Sequence, residues 1–117
     1  MKNSLFYILI LLINFGCAQT SGSKQITQFS PNDIGDGILV DVRTPEEFEQ
    51  GHLDNALNIN WFDPEFDKKF SDVDKDKTIY VYCKVGGRSA KAQQKLTSLG
   101  FKNVINLEGG YDAWVKE

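Results

Sequence analysis

Long apolar runs are scarce in this chain, and the one that exists stands at its start. Leu5 to Ile13 is nine consecutive apolar residues, whereas spanning a bilayer takes about 20. Placed behind Lys2 and ahead of Gly16, the run reads as the apolar core of an export signal, so residues 1–16 are predicted to be a signal peptide. No polar face interrupts it, which argues against an amphipathic N-terminal helix. An excess of positive charge is also missing. Removing residues 1–16 takes away only Lys2 and leaves 12 Lys+Arg against 16 Asp+Glu, a net charge of −4 over 101 residues. Such an acidic chain is a poor match for nucleic acid, and its length allows one small core, not a second domain. Cysteine occurs twice, at Cys17 and Cys83. If Cys17 is consumed in processing, Cys83 has no intramolecular disulfide partner, so in an oxidising compartment it reads as kept for reactivity. Histidine occurs once, at His52.

The stretch Cys83-Lys84-Val85-Gly86-Gly87-Arg88-Ser89 carries the chemistry that is present. It follows Thr78 to Tyr82, a β-branched and aromatic run that predicts a buried strand. It precedes Ala90 to Leu99, good helix formers closed by Gly100. A cysteine at the carboxyl end of a strand, ahead of a Gly-Gly turn and a helix N-terminus, faces backbone N–H groups that favour negative charge. These would lower the pKa of the thiol and bind an oxyanion. The competing structural reading is a buried core cysteine beside an ordinary turn.

Along the rest of the chain, Ala18 to Lys24 is polar and reads as part of a flexible tether over residues 17–24, with the folded domain over 25–117. Gln25 to Phe29 alternates weakly and predicts a short edge strand. Ser30-Pro31-Asn32-Asp33 predicts an N-cap and a short helix ended by Gly35 and Gly37. Ile38 to Val42 is an apolar strand, and Thr44-Pro45-Glu46-Glu47 is a capping box opening a short helix that ends at Gly51. Ala56 to Ile59 predicts a strand, and Trp61 to Phe70 a helix with an aromatic stripe of Phe62, Phe66 and Phe70. Ser71 to Lys77 is a charged loop without the spacing or closing glutamate of an EF-hand, and no metal is expected. Val104 to Leu107 predicts a strand, and Tyr111 to Lys116 a last helix after Gly109-Gly110. The alternation predicts an α/β fold with a parallel sheet covered by helices on both faces. Ligands bind at the carboxyl ends of the strands in such sheets, where Cys83 falls.

Two resemblances add to this reading. Ile13-Asn14-Phe15-Gly16-Cys17 resembles a bacterial lipoprotein signal, departing from it at Asn14 and Phe15. It implies lipidation of Cys17 as the mature N-terminus, and Ala18 after it implies the outer membrane, facing the periplasm. The alternative is an ordinary signal cleaved nearby. Three further segments resemble the rhodanese family: Asp41 to Phe48 with Gly51-His52-Leu53 and Ala56 to Ile59; Cys83 to Ser89; and Leu107 to Trp114. Asp54-Asn55 stands where that family usually has Pro-Gly. The resemblance implies a three-layer fold with a mainly parallel five-stranded sheet, no cofactor, and sulfur transfer through a persulfide on Cys83. The amides of Lys84, Val85, Gly86, Gly87, Arg88 and Ser89 would cradle the persulfide. Arg88 with Lys84 would attract an anionic donor such as thiosulfate, and cyanide or a thiol would accept the sulfur. Four residues separate Cys83 from Arg88, the spacing of the family's sulfur-transfer members, whereas its phosphatase relatives have five. A phosphatase or arsenate reductase is thus the weaker alternative, and a non-catalytic binding module is argued against by the intact Cys83 and Arg88. Asp41 and Arg43 read as a structural clamp, His52 as structural, and Trp61 as core or pocket rim. The expected form is a monomer.

Overall fold

The computed structural model describes residues 21–116. The predicted signal segment and Cys17 lie outside them. Five strands form one sheet: β1 (Gly22–Gln25), β2 (Ile38–Asp41), β3 (Ala56–Asn58), β4 (Thr78–Tyr82) and β5 (Asn103–Glu108). Their order is β1-β5-β4-β2-β3, and all four neighbouring pairs are parallel. The α-helices are α1 (Pro45–Glu49), α2 (Gly87–Ser98) and α3 (Gly110–Lys116).

Strand alternation sends side chains to two cores. Val40, Ile79, Val81 and Cys83 face one side, where Ala92 and Leu96 of α2 cover them together with Phe66, Phe70 and Phe101. Leu39, Tyr82 and Leu107 face the other side, with Ile26, Phe29 and Leu53, against Tyr111, Ala113 and Trp114 of α3. The result is the expected α/β three-layer arrangement, and its sheet is parallel throughout.

The sheet order also explains where a site can form. From β2 the chain runs outward to the edge strand β3, then returns across β2 to β4 and continues the other way to β5. The segments leaving the carboxyl ends of β2 and β4 therefore diverge and open a crevice between adjacent strands. Arg43 to Glu47 follow β2, and Cys83 to Arg88 follow β4, so the two segments face one another across that crevice.

Two predicted elements differ. The first strand lies at Gly22–Gln25 and pairs with Ile105–Glu108, so residues 22–24 are strand and not tether, while Ile26–Gln28 is a 3-10 turn. An edge strand needs backbone partners more than an apolar face, which the polar sequence Gly22-Ser23-Lys24-Gln25 does not advertise. The second is the aromatic helix. Residues 61–66 form turns, and only Asp67–Phe70 is helical, as a 3-10 turn. Asn60 and Asp63 accept hydrogen bonds from the N–H groups of Phe62 and Glu65, 3.1 and 2.8 Å away, and Pro64 keeps Asp63 from helical geometry. Phe66 and Phe70 still enter the core, but Phe62 is 65% exposed.

Candidate active site

The nucleophile candidate is buried and its sulfur is held by donors. Cys83 is 1% exposed. Its Sγ accepts from the Gly86 N–H at 3.0 Å and from the Ser89 hydroxyl at 3.4 Å. Gly86 caps α2 with no side-chain oxygen of its own, so the sulfur stands where a capping oxygen would otherwise accept from the first-turn amides. Burial is the largest single influence on the thiol and opposes ionisation. The hydrogen bonds from the Ser89 hydroxyl and from the amides of Ser89, Gly86 and Val85 together outweigh it, and the pKa lies below that of an ordinary thiol. Of the amides from Lys84 to Ser89 expected to cradle a persulfide, that of Gly86 donates to the thiol sulfur, and those of Val85 and Ser89 help to lower its pKa.

The loop is fixed from behind by the last helix. The N–H groups of Tyr111 and Asp112 donate to the carbonyls of Cys83 and Lys84 at 2.8 and 3.0 Å. This close approach requires Gly110, which has φ +65°; a Cβ there would lie 2.6 Å from the Cys83 carbonyl oxygen and closer still to that of Lys84.

Arg88 turns toward β2. Its Nη1 and Nη2 donate to the two carboxylate oxygens of Glu47 at 2.7 and 3.0 Å, a bidentate pair. The same carboxylate accepts from the Thr44 N–H and hydroxyl at 3.1 and 3.0 Å, closing the capping box of α1. Arg88 above all, with Thr44 and against some burial, holds Glu47 down at about 2. In return the Glu47 hydrogen bonds raise the Arg88 pKa. Phe62 lies beside this pair, its ring centroid 5.9 Å from the Arg88 guanidinium carbon. Lys84 Nζ is 3.0 Å from both carboxylate oxygens of Asp112. With Arg43, Glu47, Gln50 and Tyr111, this pair lines a cleft of about 290 Å³. A larger groove, of about 430 Å³, lies at the other end of the sheet around Ile34, Ile38 and Leu57, away from the thiol and its chemistry.

Asp41 and Arg43 form the expected clamp. Arg43 Nε and Nη2 reach the Asp41 carboxylate at 2.9 and 2.6 Å, and Nη2 also donates to the Gly51 carbonyl at 2.8 Å. Burial works against the charge, but the hydrogen bond and field of Asp41 prevail and raise the Arg43 pKa. The guanidinium also stacks 4.4 Å from the Tyr111 ring centroid. His52 stacks on Phe48 at 3.7 Å and its Nδ1 lies 2.9 Å from the Phe48 carbonyl oxygen, so it belongs to the end of α1 and not to the thiol. Trp61 packs edge-on against Phe66 at 5.1 Å, as core. Glu47, Tyr111 and Asp112 are the site neighbours that sequence reasoning missed. Glu47 was legible as a capping-box carboxylate, but only the β2–β4 pairing brings it to Arg88.

Comparison with known proteins agrees with this architecture. Residues 27–117 match the rhodanese-like domain family. The chain is 43% identical over 84 residues to an adenylyltransferase and sulfurtransferase of Candida albicans, covering 66% of this chain but only 19% of that longer protein. It is 40% identical over 87 residues to a chloroplastic thiosulfate sulfurtransferase of Arabidopsis thaliana, covering 66% of this chain and 72% of that one. A crystal structure from Staphylococcus saprophyticus superimposes with a TM-score of 0.68 at 32% identity, over 80% of this chain and 92% of the other. A buried thiol at the mouth of a parallel sheet, relatives that are sulfurtransferases and a matching solved fold agree with the family match, and this chain belongs to the rhodanese-like family.

Proposed function

We propose that this domain moves sulfane sulfur through a persulfide on Cys83, from an anionic donor such as thiosulfate to cyanide or a thiol. The observation that carries the reading is the Cys83 sulfur held by the Gly86 N–H and the Ser89 hydroxyl, in a loop of four residues before Arg88. The thiolate attacks the outer sulfur of thiosulfate. The S–S bond breaks with its electron pair going to sulfite, and the transferred sulfur stays on Cys83 as an anionic persulfide. The donors that stabilised the thiolate stabilise the persulfide, and the nearby guanidinium of Arg88 favours the charge developing on the departing oxyanion. The acceptor then attacks the outer persulfide sulfur and Cys83 leaves as thiolate, so the cycle needs no general base, no metal and no redox partner. The test is to incubate the purified protein with thiosulfate and weigh it intact. A gain of one sulfur atom, absent from Cys83→Ser, supports transfer; no gain in the wild type would assign the domain to binding alone.

We further infer export, with cleavage before Cys17 and lipidation of that residue at the periplasmic face of the outer membrane. The apolar run Leu5 to Ile13 and the Gly16-Cys17 pair support it. Among the described residues no helix is long and apolar enough to cross a membrane. Mass analysis of the mature N-terminus tests the assignment: an unlipidated N-terminus, or an uncleaved chain, refutes it.

A further inference from the structure

Each of the three cations around the nucleophile has its own carboxylate: Arg43 has Asp41, Arg88 has Glu47, and Lys84 has Asp112. Two of these pairs are locked. Asp41 and Arg43 are buried, and Glu47 is held by Thr44 as well as by Arg88. The third is different in kind. Lys84 and Asp112 are 55% and 40% exposed, and they sit on the wall of the cleft that opens beside the loop. Neither is placed by chance. The Asp112 N–H is bonded to the Lys84 carbonyl, so the two backbones meet and their side chains are presented to one another. The Asp112 carboxylate spans the Lys84 ammonium with both oxygens at the same distance. The exposed cation that the loop presents to an incoming anion is thereby paired, and the other charged residues lining the cleft, Arg43 and Glu47, are already held by Asp41 and Arg88.

We propose that Asp112 is a specificity-determining residue, which masks Lys84 and weakens the cleft's attraction for small inorganic dianions such as thiosulfate without abolishing their use as sulfur donors. Relative to these the cleft favours organic persulfides that carry charges of both signs, with an ammonium to meet Asp112 and a carboxylate to meet Lys84. This rests on the sulfur-transfer reading above. The chemistry is unchanged in kind. Cys83 thiolate attacks the outer sulfur of R–S–SH, the S–S bond breaks, RS⁻ leaves, and the outer sulfur remains on Cys83.

The test follows loading of Cys83 by intact mass after rapid mixing, with thiosulfate and with cysteine persulfide as donors. In Asp112→Asn the KM for thiosulfate should fall about fivefold, the effect of one unmasked charge in solvent, and should rise more steeply with added salt. The KM for cysteine persulfide should not fall. Asp112→Glu should restore the wild-type preference, and Lys84→Gln added to Asp112→Asn should erase the gain. Asp67→Asn is the control for net charge alone, since Asp67 pairs with Lys95 on the surface, outside the cleft. An Asp112→Asn protein with the wild-type thiosulfate KM overturns the proposal, as does an equal fall in Asp67→Asn. Failure of both donors to load Cys83 in every protein overturns the sulfur-transfer reading itself.

Discussion

Ser89 shows most clearly how single residues tune the thiol. Its hydroxyl is 3.4 Å from the Cys83 sulfur and 3.1 Å from the Gly86 carbonyl oxygen, but it has one proton to give. The proton goes to the sulfur when the sulfur is anionic and can return to the carbonyl when it is a thiol. Ser89→Ala removes the largest of the influences that lower the Cys83 pKa, leaving burial less opposed. The thiol pKa should rise, since a hydrogen bond that favours the thiolate is lost while burial remains. The acid limb of the pH–rate profile should move to higher pH by the same amount, with loading slowed at neutral pH and recovered in alkali. An unmoved limb in Ser89→Ala would show that the amides alone set the thiolate. Cys83 itself was legible from its neighbours in sequence. The pairing of Arg88 with Glu47 was not, because an arginine beside a nucleophile looks free until the adjacent strand is placed.

At the scale of elements, the aromatic stripe is instructive. Phe62, Phe66 and Phe70 repeat every four residues and read as one helical face, yet Asn60, Asp63 and Pro64 break the helix before it forms. Those turn residues carry the decisive signal, which outweighs the apolar period. The three phenylalanines should therefore separate on substitution. Phe70→Ala should cost about 3–5 kcal/mol, since Phe70 is fully buried between Phe66 and Phe101. Phe62→Ala should stay within about 0.5 kcal/mol, as surface changes do. Urea denaturation of both distinguishes this arrangement from a buried stripe, which would make the two costs alike. The strands β2, β4 and β5 were readable because apolar runs buried on both faces leave little ambiguity. Strand β1 lies earlier in the chain than its pattern suggests because Gly22 to Gln25 has no apolar run and is held mainly by backbone pairing with β5. The closing helix gives a sharper test of the site. Gly110→Ala adds a methyl group against the Cys83 and Lys84 carbonyls in left-handed backbone. It should cost at least about 2 kcal/mol and lower activity more than a surface change of equal size.

For the whole molecule, the bond between the β2 and β4 segments is an acid-sensitive fastening. Glu47 has its ordinary value of 4.5 when unfolded and about 2 when folded. Its contribution is therefore complete above pH 4.5 and is lost as pH falls toward 2. For a pair about a quarter exposed, the loss is about 1–2 kcal/mol once solvent screening is allowed for. Glu47→Gln should lower stability by that amount at neutral pH and by little near pH 2, so the stability curves of the two proteins should converge in acid. Parallel curves down to pH 2 would mean the carboxylate is not protonated differently in the two states.

The contact between the last helix and the Cys83 loop also bears on how the protein is made. Asp112 lies 28 residues behind Lys84 in the chain, so the amides that fasten the loop leave the ribosome well after the cysteine does. Strand β5, which supports β4 on its free side, is likewise still to come. Until Tyr111 and Asp112 arrive, the Cys83 loop lacks two of the backbone hydrogen bonds that hold it in place. The loop is fully fastened only when the last helix docks, so its final geometry depends on the most C-terminal element of the sheet's cover.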